Sequence, residues 1–143
     1  MSTEENKMIA RRFTEGIQSF WRTGSFDALE ALVTPDFVHH GPGLPSDLAG
    51  LKQMLPAFRT AFPDLEITIE EIIAEGDKVF DRATWRATHQ GELMGIPPTG
   101  KQVTVQESHI GRIVGGKMAE RWSEWDALGM MQQLGVIPAP EQG

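Results

Sequence analysis

The chain has no cysteine and no tyrosine. Thiol chemistry, disulfides and thiolate metal sites are therefore excluded, and proton transfer falls to histidine and carboxylate side chains. Four histidines are present: the adjacent pair His39-His40, then His89 and His109. Glu107 and His109 lie two residues apart in a segment that reads as a strand, so period two puts both on one face. Histidine is the group whose ordinary pKa lies near neutrality, and burial raises a glutamate toward the range useful for proton transfer. The pair is a candidate proton shuttle, or else a buried polar pair that orders the sheet. His39 and His40 point to opposite faces of a strand, so only one can face a cavity. His40, beside a Pro/Gly loop, is the candidate for the cavity mouth. His89 closes another strand beside the loop from 91 to 101 and is a candidate pocket residue. No HxxxH or HxH spacing gathers histidines around an ion, so no metal site is expected. Trp85 and Trp125 offer flat apolar faces for a planar or polycyclic ligand.

These side chains must be positioned by helices followed by strands. Ile9, Phe13, Ile17 and Phe20 recur at helical spacing, with Gly24 as the stop. Ser25 can cap a short second helix that Pro35 closes, and Asp36 to His40 reads as a short strand before the Gly41–Pro45 loop. Asp47 can cap a third helix carrying Leu51, Leu55, Phe58 and Phe62, with Pro56 expected to kink it. Leu65, Ile67 and Ile69 then alternate with polar residues, and the alternation slips at Ile72-Ile73, which suggests a bulge. Returning strands are expected over Val79–His89, Gln102–Val114 and Lys117–Trp125. A last helix is capped by Asp126 and stopped by Gly135. The order predicts a single α+β domain over residues 1–143: helices over about 3–62, an antiparallel sheet over about 65–125 and a C-terminal helix over about 127–134.

The composition narrows the partners. The 143 residues carry a net charge of −7 with 40% hydrophobic and 23% charged residues. That is one soluble domain's worth of core. The acidic balance argues against nucleic acid and anionic membrane surfaces, and no apolar run reaches the ~18 residues of a membrane span. The N-terminus is polar and has no signal-peptide core, so a cytoplasmic protein is expected.

Four stretches carry a family resemblance: Ala61-Phe62-Pro63-Asp64-Leu65, Thr88-His89-Gln90-Gly91-Glu92, Gly95-Ile96-Pro97-Pro98-Thr99-Gly100-Lys101, and the tail from Gly116-Lys117 through Trp122 and Trp125-Asp126 to Gln133-Leu134-Gly135. In order and spacing the chain resembles the SnoaL-like polyketide cyclases, or ester cyclases, of the nuclear transport factor 2-like superfamily. The resemblance implies a cone-shaped, curved antiparallel sheet wrapped by N-terminal helices around an apolar cavity, and a homodimer. It also implies a cyclase that works without metal or organic cofactor, closing a ring in an apolar, carbonyl-containing small molecule by intramolecular aldol condensation. The family's catalytic histidine falls on His109. Its catalytic aspartate falls on Ser123, which cannot serve as a carboxylate base.

The hairpin at Gly115-Gly116 decides which residues join His109. A three-residue loop puts Arg121, Ser123 and Trp125 on its face, whereas a two-residue loop puts Glu120, Trp122 and Glu124 there. The turn glycines allow both, and the resemblance implies the first. In that register the cavity wall holds Glu107, His109, Arg121, Ser123 and Trp125, with Glu107, or a water held by Ser123, supplying the second catalytic function and Arg121 tending to keep Glu107 ionised. Two readings stay open: a cyclase or related lyase or isomerase using His109, Glu107 and Ser123, and a small-molecule binding protein of the same fold without chemistry.

Overall fold

A computed structural model describes residues 2–138. Helix α1 (Thr3–Thr23) starts at a capping box: Ser2 accepts from the Glu5 backbone while the Glu5 carboxylate accepts from the Ser2 backbone. It stops at Gly24, whose φ of +78° is open to glycine at little cost. Then come α2 (Asp27–Glu30), β1 (Val33–His40), α3 (Leu48–Ala61), β2 (Glu66–Glu75), β3 (Lys78–Thr88), β4 (Gln102–Val114), β5 (Lys117–Trp125) and α4 (Ala127–Leu134). The α+β class, the last two strands and the caps at Asp47 and Asp126 are as expected. Among the described residues no helix is long and apolar enough to cross a membrane.

The strands form one five-stranded sheet in the order β1-β5-β4-β3-β2. It is not wholly antiparallel. β1 begins at Val33, runs through Pro35, and lies parallel to β5 at the sheet edge. An edge position accommodates Pro35, which has no N–H to give to a ladder. The irregularity in β2 falls between Ile69 and Glu71, leaving Glu70 unpaired, rather than at Ile72-Ile73.

The decisive local feature is in β5. Gly115 and Gly116 form a two-residue turn, both with positive φ, so Val114 pairs with Lys117 and Ile113 with Met118. That turn alone would carry Trp122 to His109. Ala119 is instead an extra residue, and Arg112 pairs with Glu120. The bulge shifts the register by one, and His109 faces Ser123. The expected face is therefore reached, by a bulge rather than a three-residue loop.

Two apolar clusters fill the space between sheet and helices. One gathers Phe20, Phe62, Trp85, Val105 and Met130. The other gathers Phe13, Leu29, Phe37, Val79, Ile113 and Met118. The inner faces of β3, β4 and β5 each contribute to both clusters, and their polar inward residues lie between. Helix α1 is strapped over this interior: Gln18 bonds the backbone of Leu65 and Ile67, and Trp21 Nε1 donates to the Phe62 carbonyl at 2.8 Å.

The loop after β3 is seated on the end of α3, where the Ala61 carbonyl accepts from the backbone N–H of Gln90 and Gly91. A Cβ at Gly91 would stand 2.3 Å from the Thr60 carbonyl oxygen. Gly91→Ala is therefore expected to destabilise the fold by about 1–3 kcal/mol, read as a lower denaturation midpoint in urea. An unchanged midpoint would show that the loop is not held against α3.

Candidate active site

On the inner face of the sheet, Asp81 of β3 pairs directly with His109 of β4, and His109 with Ser123 of β5. His39 of β1 pairs with Arg121, one step along β5. A polar band thus crosses four strands between the two apolar clusters. Each of these five side chains is buried.

Both ring nitrogens of His109 face carboxylates. Nδ1 lies 2.8 Å from Asp81 Oδ1 and Nε2 lies 3.0 Å from Glu107 Oε2. Trp85 Nε1 donates to the other Glu107 oxygen at 3.0 Å. The contact with Asp81 has hydrogen-bond geometry, and Glu107 stands at ion-pair distance. On the β1 side, His39 Nε2 lies 2.9 Å from Ser123 Oγ, and Arg121 donates to the same oxygen at 3.4 Å. The Arg121 guanidinium lies 4.5 Å from the centre of the Phe13 ring, and its burial pulls its pKa down from the ordinary arginine range.

All of these groups except Asp81 line a cavity of about 130 Å³, close to the size that takes up a benzene ring. Its wall is mostly apolar, with Phe13, Ile17, Trp21, Leu55, Phe58 and Trp85 among the lining residues, and Trp125 meets Phe58 edge to face. His39, Glu107, His109, Arg121 and Ser123 are its ionisable and hydroxyl groups apart from Thr14.

The site expected from sequence is largely assembled: His109, Glu107, Ser123, Trp85, Arg121 and Trp125 all line the cavity. Two expected members do not. His40 lies on the outer face, stacked on Trp122 and bonded to Glu120. The inward histidine is His39, because it shares strand parity with the buried Phe37. His89 is fully buried behind Phe62 and away from the cavity wall. Its Nδ1 accepts from the Thr99 backbone N–H at 3.2 Å, so it pins the ends of the loop together. Asp81 is the missed residue. Its signal was present: period two along β3 puts residue 81 on the face of Trp85, opposite Arg82 and Arg86.

The family described as SnoaL-like polyketide cyclase matches residues 11–134. The chain belongs to the SnoaL-like polyketide cyclase family. It is 26% identical over 127 residues to the nogalonic acid methyl ester cyclase of Streptomyces nogalater, covering 82% of this chain and 90% of that protein. It is 31% identical over 151 aligned positions to the aklanonic acid methyl ester cyclase DnrD of Streptomyces peucetius, covering 99% and 97%. Among solved structures, AclR of Streptomyces galilaeus, for which a hydroxylase function is suggested, superposes with a TM-score of 0.85 at 30% identity, covering 99% of this chain and 87% of that one. In this SnoaL-like chain the fold and the cavity go together: the same curved sheet that identifies the family carries the polar band on its inner face.

His39 supplies a measurable signature. Burial, then the nearby Arg121 charge, push its pKa down to about 4. The unfolded chain takes up this proton below about pH 6.5, the folded chain only near pH 4. Stability from this group is therefore complete above the unfolded value and lost as pH falls through that window, by up to about 3 kcal/mol. Urea unfolding from about pH 7 to about pH 4 should show wild type losing more stability than His39→Asn. Parallel profiles would contradict the assignment.

Proposed function

We propose that the protein is a cyclase that closes a ring in a carbonyl-containing polyketide by proton transfer through Glu107 and His109. The observation that carries this reading is the array Asp81–His109–Glu107 on the wall of an apolar cavity, in a chain similar over most of its length to two methyl ester cyclases. In the proposed reaction Glu107 takes a proton from the carbon next to a carbonyl, and the C–H electron pair becomes an enolate. The enolate carbon forms a C–C bond with a second carbonyl of the same molecule, and the alkoxide so formed takes the proton back. The protein ends as it began, with nothing oxidised or reduced and no cofactor required. Its substrate is then a methyl ester, as in the names of its relatives, with the reacting end in the cavity and the remainder toward the mouth.

The roles divide by position. Glu107 meets the carbon-bound proton, because its carboxylate is the one on the cavity wall. His109 carries the proton onward, and Asp81, outside the cavity lining, positions the ring and holds its charge. Ser123 is not the base here, since its hydroxyl is committed to His39 and Arg121. That same commitment favours the second reading, a binding protein without turnover. Ligand binding without cyclisation would select it.

The outer face of the sheet offers a surface for a second copy. Ile73, Phe80, Ile110, Trp122 and His40 are cross-strand neighbours in one row over all five strands, with Ile73 and Ile110 well exposed. A homodimer formed through this row completes the proposal.

With aklanonic acid methyl ester as substrate, His109→Gln and Glu107→Gln are each expected to lower cyclisation by about 10²–10⁴-fold, with folding retained by circular dichroism. Activity within a few-fold of wild type in both would remove the proposed shuttle. Ile110→Glu should leave the fold intact and shift sedimentation from dimer to monomer, and an unchanged sedimentation coefficient would place any interface elsewhere.

A further inference from the structure

Arg121 is the charged group of the cavity with most of its hydrogen-bonding capacity unspent among the described residues. A guanidinium has five N–H donors. Among the described residues its only hydrogen-bond partner is Ser123 Oγ, at a long 3.4 Å, and no carboxylate stands within ion-pair distance of it. The charged groups facing it have partners of their own. Asp81 is taken by His109 Nδ1, and Glu107 by His109 Nε2 and Trp85 Nε1. From β1, His39 is neutral over the physiological range, its pKa lying at about 4. From α1 the guanidinium meets the Phe13 ring, and the uncharged Thr14 lines the same cavity, while α3 adds apolar side chains such as Leu51 and Leu55.

A buried cation that spends so little of its capacity on the protein is costly, because desolvating an ion is offset only by charges and acceptors brought close to it. The Phe13 face offsets part of that cost. The rest is repaid by an acceptor that arrives with the ligand. The serine at 123 is what leaves the guanidinium available, since a carboxylate at this position would sit within reach of Arg121 and consume its charge.

We propose that Arg121 holds the negatively charged oxygen of the ligand: the enolate oxygen in turnover, and a phenolate oxygen in a stable mimic. This rests on the proton-transfer reading and adds to it the group that receives the charge. When the proton leaves carbon for Glu107, one negative charge disappears from the carboxylate and one appears on the ligand oxygen. The cavity's total charge is unchanged, and a preorganised donor stabilises the new position of that charge in a mostly apolar site. Arginine suits this role, because it stays charged when buried and its donors form a fixed fork.

The probe is 4-nitrophenol, whose phenolate absorbs in the visible while the phenol does not. At a pH equal to the free probe's own midpoint, wild-type protein is expected to bind it mainly as phenolate. Arg121→Met should shift the bound ratio at least tenfold toward phenol, and Arg121→Lys, which keeps the charge, should shift it less. Ser123→Asp should also favour phenol, by pairing with Arg121. Wild type binding the phenol form, failure to bind either form, or an unchanged ratio in Arg121→Met would each overturn the proposal. If Arg121→Met does not fold, the wild-type spectrum alone decides. Cyclisation by a protein that binds only phenol would remove Arg121's role and leave the proton shuttle standing. Phenolate binding without cyclisation would do the reverse.

Discussion

One imidazole, faced at both nitrogens by carboxylates, is the interaction around which this structure is arranged. The Asp81–His109–Glu107 array lies on three neighbouring inward positions of β3 and β4, and the buried Asp81 carboxylate could not be left unpaired at acceptable cost. His109 bonds Asp81 through Nδ1 and stands 3.0 Å from Glu107 through Nε2, Trp85 gives Glu107 a hydrogen-bond donor, and the Arg121 guanidinium lines the same cavity. Remove the ring and Asp81 is left buried without its hydrogen-bond partner. The array is therefore structural and chemical at once: the bonds that make it affordable to bury also fix the geometry in which a proton can be moved.

The apolar frame serves this band. Two separate clusters, rather than one continuous core, leave a polar zone between them, and α1 closes it from above through Gln18 and Trp21. The bulge at Ala119 is the geometric hinge of the arrangement. With the two-residue Gly115-Gly116 turn alone, Glu120, Trp122 and Glu124 would face the cavity, and Arg121 and Ser123 would face solvent. One extra residue in β5 exchanges those faces, and the outer row containing Trp122 and Ile110 is the other side of the same event.

Much of the architecture was legible in the sequence because it follows from local rules. Gly24 and Gly135 end helices where a left-handed residue is needed, Asp47 and Asp126 cap as their positions suggest, and period-two alternation gives β4 and β5 their bounds. Long-range features were not. β1 pairs in parallel with a strand nearly eighty residues away, and nothing in Val33–His40 announces its partner. Bulges also hide from pattern reading. Ala119 is small enough to be buried beside Met118, so the face changes without a break in hydrophobicity, and the Glu70 bulge lies within a run of acidic residues. In the site, the inward histidine was obscured by proximity to a loop, although the parity of Phe37 selects His39. Asp81 was overlooked because an acidic residue in a strand reads as outward-facing until its parity with Trp85 is counted.

Ser123 changes how this member of the family distributes its chemistry. Its hydroxyl joins His39 to Arg121, and in the proposed reaction the basic role falls to Glu107, one inward position along β4 from His109. Removal of a carbon-bound proton by that glutamate, backed by His109, is the step on which the functional account stands. Hydrogen–deuterium exchange at the carbon beside the carbonyl of a polyketide methyl ester, followed by mass spectrometry in D₂O, measures that step without requiring ring closure. The account predicts enzyme-accelerated exchange that Glu107→Gln abolishes in a folded protein. Exchange at the same accelerated rate in that variant, or none above background in wild type, would contradict it.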